Sequence, residues 1–430
     1  MDNAALKQPS PGEAMATPNP VAEFIDTPLP AAAYARFRAA LQPQVRIELI
    51  ALEAALGRYL ATNVAAPIDL PEFPRSTVDG YAVRIDDLAG ATDAAPVSLS
   101  VAGEASMGRV PTARVAPGTA VKIHTGAMLP EGAEAVAMVE WSREASPGRI
   151  TIARSVRRGD NTIARGEDVR AGEPLLSAGR QLRPEDIGGL AAIGMVQVPV
   201  ARRPVVAIIS GGDEVVPPHV TPGPAQVRDV NAATLAAMVQ AAGGTAWRLG
   251  IAPDDLAIFT AMAEEALAGA DMVIVSGGSS VGTRDVTRAA VDSFGPPGVI
   301  VHGVAVRPGK PTLLAMVRDR PFFGLPGNPV SAIATFRLFV LPTLLRYLGV
   351  EEPRHRLPIR ARLTAPVPPS GGREDYVQVR LTERDGEALA EPVLGKSNLI
   401  FTVVRADGYI RVPVERSGLP AGEVVPVWQY

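Results

Sequence analysis

Hydrophobic positions change their spacing several times along this chain, and each change predicts a different kind of element. Residues 31–42 (AAAYARFRAALQ) and 49–60 (LIALEAALGRYL) carry apolar residues at helical spacing and predict two helices. Three prolines in APIDLPEFPRSTVDGYAVR (66–84) argue against a helix there, and TVDGYAV predicts a turn feeding a strand. From Val97 to Ile152 short β-like runs (VSLSVAG, AVKIHTG, AVAMVEW, RITIARS) are broken by Gly and Pro, which predicts a small, mostly β unit. Residues 153–201 return to mixed character, with a helix-like PEDIGGLAAIG.

From residue 202 the pattern is clearer. PVVAIIS (204–210) reads as a buried strand ending at Gly211-Gly212-Asp213-Glu214. Asn231 is placed to cap a helix through TLAAMVQAA, and Asp254 to cap DLAIFTAMAEEALAG after the strand TAWRLGI. DMVIVS is the next strand and DVTRAAVDSF the next helix. VIVHGVAV, TLLAMV and PFFG follow as strands, and PVSAIATFRLFVLPTLLRYLG as a long helix. Strands alternating with helices predict βαβ crossovers and a mostly parallel sheet. Pro353, within EEPRHRLP, marks a linker, and RLTAPV, YVQVRLT, GYIRVPV and VVPVWQY read as strands of a small barrel or sandwich.

Composition narrows the function classes. A length of 430 residues implies roughly two to four domains, and 47% hydrophobic with 20% charged residues is globular. A net charge of −3 argues against nonspecific nucleic-acid binding, which needs a basic face. Without cysteine there is no disulfide and no thiolate metal site. The histidines, at 124, 219, 302 and 355, form no ligand-like pair, which disfavours a zinc hydrolase. Only four of the 42 basic residues are lysines, so Lys310 and Lys396 stand out. The first thirty residues hold no apolar core of signal-peptide length, and no apolar run reaches the roughly 20 residues of a membrane span. The expectation is a soluble cytoplasmic protein with a disordered N-terminal tail.

Two clusters carry candidate chemistry. In DMVIVSGGSSVGTRD (271–285), Gly277, Gly278 and Gly282 remove side chains where a backbone can approach an anion. Ser276, Ser279 and Ser280 add hydroxyls, and a helix beginning near Asp285 would present free N–H groups. The plain alternative is a tight βα turn capped by Asp285. Glu214 and Asp254, at equivalent strand ends, tip the reading toward phosphate and Mg²⁺, a hard ion that bridges carboxylates and phosphate oxygens. The second cluster pairs VRPGKPTLL (306–314) with GLPGNPVSA (324–332). Arg307 and Lys310 can hold an oxyanion, and Ser331 opens the last long helix, where N–H groups favour anions. Two ordinary turns with solvated charges are the alternative. Asp79 before a glycine, and Thr125 after KIH, carry little by themselves.

Taken in order, STVDGYAV, HTGAMLPEGAEAV, RGEDVRAGE, SGGDEV, VRDVN, SGGSSVGTRD, RPGKP and LPGNPVSA resemble the molybdopterin molybdenumtransferase family, to which the gephyrin E domain also belongs. The likeness covers about residues 30–430. It implies an elongated, multidomain α/β plus β subunit that forms a homodimer. The expected parts are a disordered tail (1–28), a linker and dimerisation domain in two segments (29–66 and 152–201) and a β-rich insertion (67–151). A three-layer α/β domain like that of molybdopterin adenylyltransferases (202–350) and a C-terminal β-barrel domain (351–430) complete it. The family takes adenylylated molybdopterin and molybdate, and yields molybdenum cofactor and AMP with Mg²⁺; a molybdopterin adenylyltransferase is a possible partner, and neither nucleic acid nor membrane is expected.

Carried over by position, Asp285 and Asp254 match acids that hold Mg²⁺ or act on the adenylyl phosphate. Glu214, Ser276, Gly277, Gly278, Ser280 and Gly282 match the pterin-nucleotide side, with Pro326, Gly327 and Asn328. Arg307, Lys310, Ser331, Arg373 and Ser397 match the oxyanion side. Asp79, Thr125 and Asp168 match functional positions that dimerisation brings near the partner's α/β site. Arg307 stands where many members carry Lys, so a planar fork replaces a compact ammonium. Val78 replaces a frequent Met, and the tail is longer than usual. A scaffold that binds the pterin without turnover, or an unrelated nucleotide-dependent transferase with a similar sheet edge, remain alternatives.

Overall fold

The computed structural model describes residues 27–277, 281–351, 357–368 and 371–430, with 281–285 described by backbone alone. The expected tail therefore lies outside the described residues as far as Asp26, and so do residues 352–356 of the expected linker. Two compact units make up the chain, residues 1–47 with 201–430, and residues 48–200.

The first unit is built on β1 (Val205–Gly211), α1 (Val230–Ala241), β2 (Thr245–Ala252), α2 (Leu256–Gly269), β3 (Met272–Gly277), α3 (Val281–Ser293), β4 (Gly298–His302), β5 (Leu313–Val317) and β6 (Arg320–Pro326). The strands form one sheet in the order β2-β1-β3-β6-β5-β4. The first four run parallel, β5 returns antiparallel beside β6, and β4, antiparallel to β5, runs in the direction of the first four at the edge. Strands β1 and β3 are buried along nearly their whole length, which is why VVAIISG and MVIVSG read as unbroken apolar runs rather than alternating ones. Phe259, Leu267, Val273 and Phe322 lie in the core between helices and sheet. On β6, Phe323 meets Phe37 of the helix Pro30–Arg38 with ring centroids 5.3 Å apart. Each such fully buried ring contributes about 2–3 kcal/mol.

Three expected helix starts move, and each move bears on chemistry. Asp229, not Asn231, caps α1 by accepting the Ala232 N–H. Asp255, not Asp254, caps α2 by accepting the Ile258 N–H. Helix α3 begins at Val281, so Asp285 lies inside it and is not its cap. Neighbouring Asp and Asn residues offer the same short acceptor, and the one whose non-helical backbone lies three residues before the free N–H takes the bond. Asp254, Asn231 and Asp285 are thereby released from the ordinary role that competed with a functional one.

The helix Pro329–Tyr347 is 19 residues long and apolar enough to cross a membrane by length and composition, but 67% of it is buried within the structure, as a core helix is. Its middle turn, Phe336–Val340, widens to a π-helix just before Pro342, where a proline ring would otherwise strike the carbonyl four residues back. Of the two C-terminal architectures, the strands choose the barrel. Glu374–Arg384 pairs with both Glu387–Pro392 and Gly408–Val412, and Ile359–Leu363 joins Glu387–Pro392 to Val424–Gln429. The pairing of Gly408–Val412 with Val424–Gln429 closes the ring and removes its free edges. The Val306–Arg307 strand pairs with Glu374 and Asp375, joining the RPGKP turn to the barrel wall.

In the second unit a six-stranded sheet includes Gly80–Val83, Thr119–Ile123, Ala135–Met138 and Val97–Ala105. Gly80 has a backbone reason: a Cβ there would strike the carbonyl of Ala137 on the adjacent strand. Residues 49–60 are not a helix. Ile47–Ala51 is a strand paired with Gln197–Ala201, and only Leu52–Ala54 makes a 3₁₀ turn. Leu52, Ala55 and Leu60 are still core residues, but Leu52 donates its N–H to Val196, so pairing with a distant segment overrides the local helical spacing.

Candidate active site

The C-terminal ends of β1, β3 and β6 lie side by side, with Ser210 opposite Ser276 and Ser276 opposite Leu325. Buried Asp229 accepts the Ser210 hydroxyl at 2.7 Å while it caps α1. Asn231, two residues on, donates through Nδ2 to Ser276 Oγ at 2.8 Å and to the Gly327 carbonyl at 2.7 Å. One amide thus ties the end of β3 to the PGNP turn after β6. Both residues belong to the VRDVN segment, and this bracing function has no signal in local spacing.

At the next strand ends, Gly211 of β1 pairs with Ala252 of β2, and Asp254 donates its N–H to Asp213 Oδ1 at 3.1 Å. Partial burial, followed by the charges of Asp213 and Glu214, pushes the Asp254 carboxyl above the usual carboxylate range. Three acids therefore share one corner. Among the described residues, no group of three or more His, Asp or Glu side chains is arranged to hold a metal ion. Gly278 and Ser280 lie outside the described residues, and Gly282 and Asp285 are described by backbone alone. Ser276 is buried, and Gly277 is half-buried at the end of its strand.

Arg307, Lys310, Ser331, Arg373 and Ser397 all line one cavity of ≈ 660 Å³, together with Pro326 and Asn328. Lys396 joins the wall, so four cations face a single carboxylate, Asp375. The rarity of lysine had singled out Lys396 without giving it a role. Arg307 approaches Asp375, with Nη1 4.0 Å from Oδ2. The Lys310 carbonyl accepts from both Val304 and Thr312, and Thr312 Oγ1 donates to the Gly309 carbonyl, which fixes the turn. Opposite it, Asn328 Nδ2 donates to Ser397 Oγ at 3.0 Å and Val330 donates its N–H to the Ser397 carbonyl. These contacts dock the GKSNLI segment of the barrel domain onto the PGNPVS turn.

Gly309 explains the RPGKP spelling. Its φ of 122° is a conformation that side chains disfavour, and a Cβ would strike Thr335. Gly309→Ala is expected to cost about 1–3 kcal/mol of stability and to displace the flanking Arg307 and Lys310. Thermal unfolding and an oxyanion titration of the variant check both effects.

Asp79, Thr125 and Asp168 belong to the second unit. Asp79 Oδ1 accepts the Thr125 N–H at 2.8 Å, with His124 Nδ1 3.6 Å away. That backbone bond, chiefly, holds the Asp79 carboxyl below the usual range, so it stays ionised. His124 Nε2 lies 2.6 Å from Glu104, whose carboxyl it likewise lowers. Asp168 is exposed and donates its backbone N–H to Leu70.

An α/β sheet with a polar C-terminal edge, a cationic cavity beside it and a closed barrel suit a protein with an anionic ligand. Three family patterns identify the family. The MoeA N-terminal region (domains I and II) matches residues 30–194, a probable molybdopterin binding domain matches 207–346, and the MoeA C-terminal region (domain IV) matches 360–430. A molybdopterin molybdenumtransferase of Bacillus subtilis is 35% identical over 93% of this chain and 94% of its own length. One from Nostoc is 36% identical over 80% of each chain. The crystal structure of a molybdopterin biosynthesis MoeA protein from Pyrococcus horikoshii superposes with a TM-score of 0.81 at 35% identity, covering 94% of this chain and 99% of that one. The chain belongs to the molybdopterin molybdenumtransferase family, a family of transferases.

Proposed function

We propose that this protein inserts molybdenum into molybdopterin: it transfers molybdate onto the dithiolene of adenylylated molybdopterin with release of AMP, depends on Mg²⁺, and works as a cytoplasmic homodimer. The observation that carries the reading is the cavity that Arg307, Lys310, Arg373 and Lys396 line together with Ser331 and Ser397. A tetrahedral dianion needs several cationic and hydroxyl donors converging from different sides, and charge-assisted hydrogen bonds of this kind are the strong ones.

In the proposed exchange, two dithiolene sulfurs bond to molybdenum while one oxygen leaves as water, taking the two thiol protons. Water then adds across the phosphoanhydride, giving AMP and the pterin monophosphate. The four cations offset the repulsion between oxyanion and substrate phosphate, and holding both partners in contact supplies much of the rate. Asn231 keeps the strand ends and the PGNP turn in register for the pterin nucleotide.

The donor set suits magnesium in kind: oxygen ligands only, with Asp254 already raised by acidic neighbours whose repulsion a hard cation would relieve. Asp254 would hold it with Asp285 and the substrate phosphates. Bound there, it would neutralise phosphate charge and polarise the bond to AMP. Asp79, kept ionised by Thr125, and Asp168 are proposed to act at the partner's site in the dimer.

The test is AMP release from adenylylated molybdopterin by the purified protein with Mg²⁺, with and without molybdate. Molybdate is expected to trigger release. Binding of the pterin nucleotide with no AMP release on adding molybdate would reject the enzyme reading in favour of a scaffold.

A further inference from the structure

A second cationic cavity, of ≈ 330 Å³, lies in the same unit and takes no part in the proposed reaction. It sits at the opposite edge of the sheet, where β1, β3 and β6 begin: Pro204, Asp271 and Arg320 line it. Four guanidinium groups, from Arg46, Arg202, Arg318 and Arg320, face two carboxylates, Asp271 and Asp319.

The ion pairs inside it do not exhaust this charge. Asp271 is buried and accepts from the Val205 N–H at 2.8 Å, from Arg46 Nη1 at 3.2 Å and from Arg202 Nη2 at 3.1 and 3.2 Å. These contacts fill the roughly four lone-pair positions of a carboxylate. Arg46 spends one of its donors on Asp271 and remains 60% exposed. Arg318 is turned to Glu264 at 3.4 Å and to the face of Phe294. Arg320 is half-buried and makes no ion pair among the described residues.

Local structure holds these donors in place. Arg318 and Asp319 both adopt left-handed backbone angles, φ 49° and 63°, as in a tight two-residue turn between β5 and β6. That turn seats Arg320 at the head of β6. Tyr347 adds a hydroxyl that burial pushes up to about 12, against the opposing pull of Arg320, so it is a neutral donor. Gln42 and Gln44 add amides.

We propose that this cavity is a second anion site, which takes a phosphoryl-sized dianion, free or as the terminal group of a small metabolite, with Arg46 and Arg320 as its principal donors. It is independent of the proposed reaction and of the first cavity. With Glu264 drawn to Arg318, the four cations still outnumber the acids that face them by one, and a phosphoryl group offsets that charge with oxygens that match the forked geometry of arginine.

The test is calorimetric titration of the full chain with two probes, inorganic phosphate and AMP. The wild type is compared with Arg46→Gln/Arg320→Gln and with Arg307→Gln/Lys310→Gln. At least one probe is expected to bind at a site that the Arg46/Arg320 pair weakens at least tenfold and the Arg307/Lys310 pair leaves unchanged. Loss confined to phosphate assigns the free ion, and an equal loss for AMP assigns a terminal phosphoryl group. Should the first pair impair folding, Arg320→Lys, which keeps the charge and loses the fork, is expected to weaken the same site. Isotherms for both probes that no Arg46 or Arg320 substitution alters would overturn the proposal.

Discussion

Lys310→Ala is expected to lower molybdate-dependent AMP release by about two orders of magnitude, with binding of the pterin nucleotide little changed. Removing one preorganised donor aimed at developing charge costs about 10²–10³ in rate. Lys310 belongs at the upper end of the cavity's residues, because its own carbonyl anchors the turn through Val304 and Thr312 and the ammonium rises from a fixed point. Arg307 is 57% exposed and shares its charge with Asp375, so Arg307→Ala should cost only about tenfold. Steady-state titration with molybdate separates the two. Equal losses, or a Lys310 loss confined to pterin affinity, would move the oxyanion elsewhere.

The largest loss of stability is expected in the second unit. Asp186 is buried at the start of the helix Pro184–Ala192, where it accepts two bonds from Arg180, at 2.8 and 3.0 Å, and the Arg183 N–H at 3.0 Å. Burial is the strongest single influence on its carboxyl and pushes it up. The bonds from Arg180 and Arg183 together outweigh burial and hold it far below the usual carboxylate range. Asp186→Ala removes an interior charge and the contact at the helix start, at about 3 kcal/mol; the loss is not greater because Arg180 is partly exposed and can rehydrate. A group with a depressed folded-state value contributes stability above its unfolded value and loses it as pH falls through the folded one. In the wild type this contribution is therefore complete near neutrality and fades only on strong acidification. Denaturant unfolding of both proteins between pH 7 and pH 2 checks the difference, which should hold steady down to the unfolded-state value of about 4 and shrink only below it.

Part of the candidate site is legible in the sequence. RPGKP and LPGNPVSA stood out by their proline-glycine turns, and the cavity gathers Arg307, Lys310, Asn328 and Ser331 from them. Arg373 and Ser397 reach it from the barrel domain, where nothing in their spacing marks an oxyanion wall. Helix caps were legible only as a choice between neighbours, since Asp254 and Asp255 offer the same carboxylate and only the backbone path selects Asp255. The helical spacing of 49–60 misled because burial repeats alike whether a segment coils or pairs with a distant strand.

By itself, the sequence determined the alternating strands and helices of the central sheet, the β character of both flanking regions and the family to which the chain belongs. These rest on local periodicity and on motifs whose residues are close in the chain. Strand patterning left barrel or sandwich open, only the family resemblance pointed to the barrel, and tertiary structure alone decided how its ring closes, the Asn231 bridge from Ser276 to Gly327, and the surplus of arginine where the central strands begin. Each of these joins segments far apart in sequence, and such a contact has a sign and a strength only after the backbone has brought its members within reach.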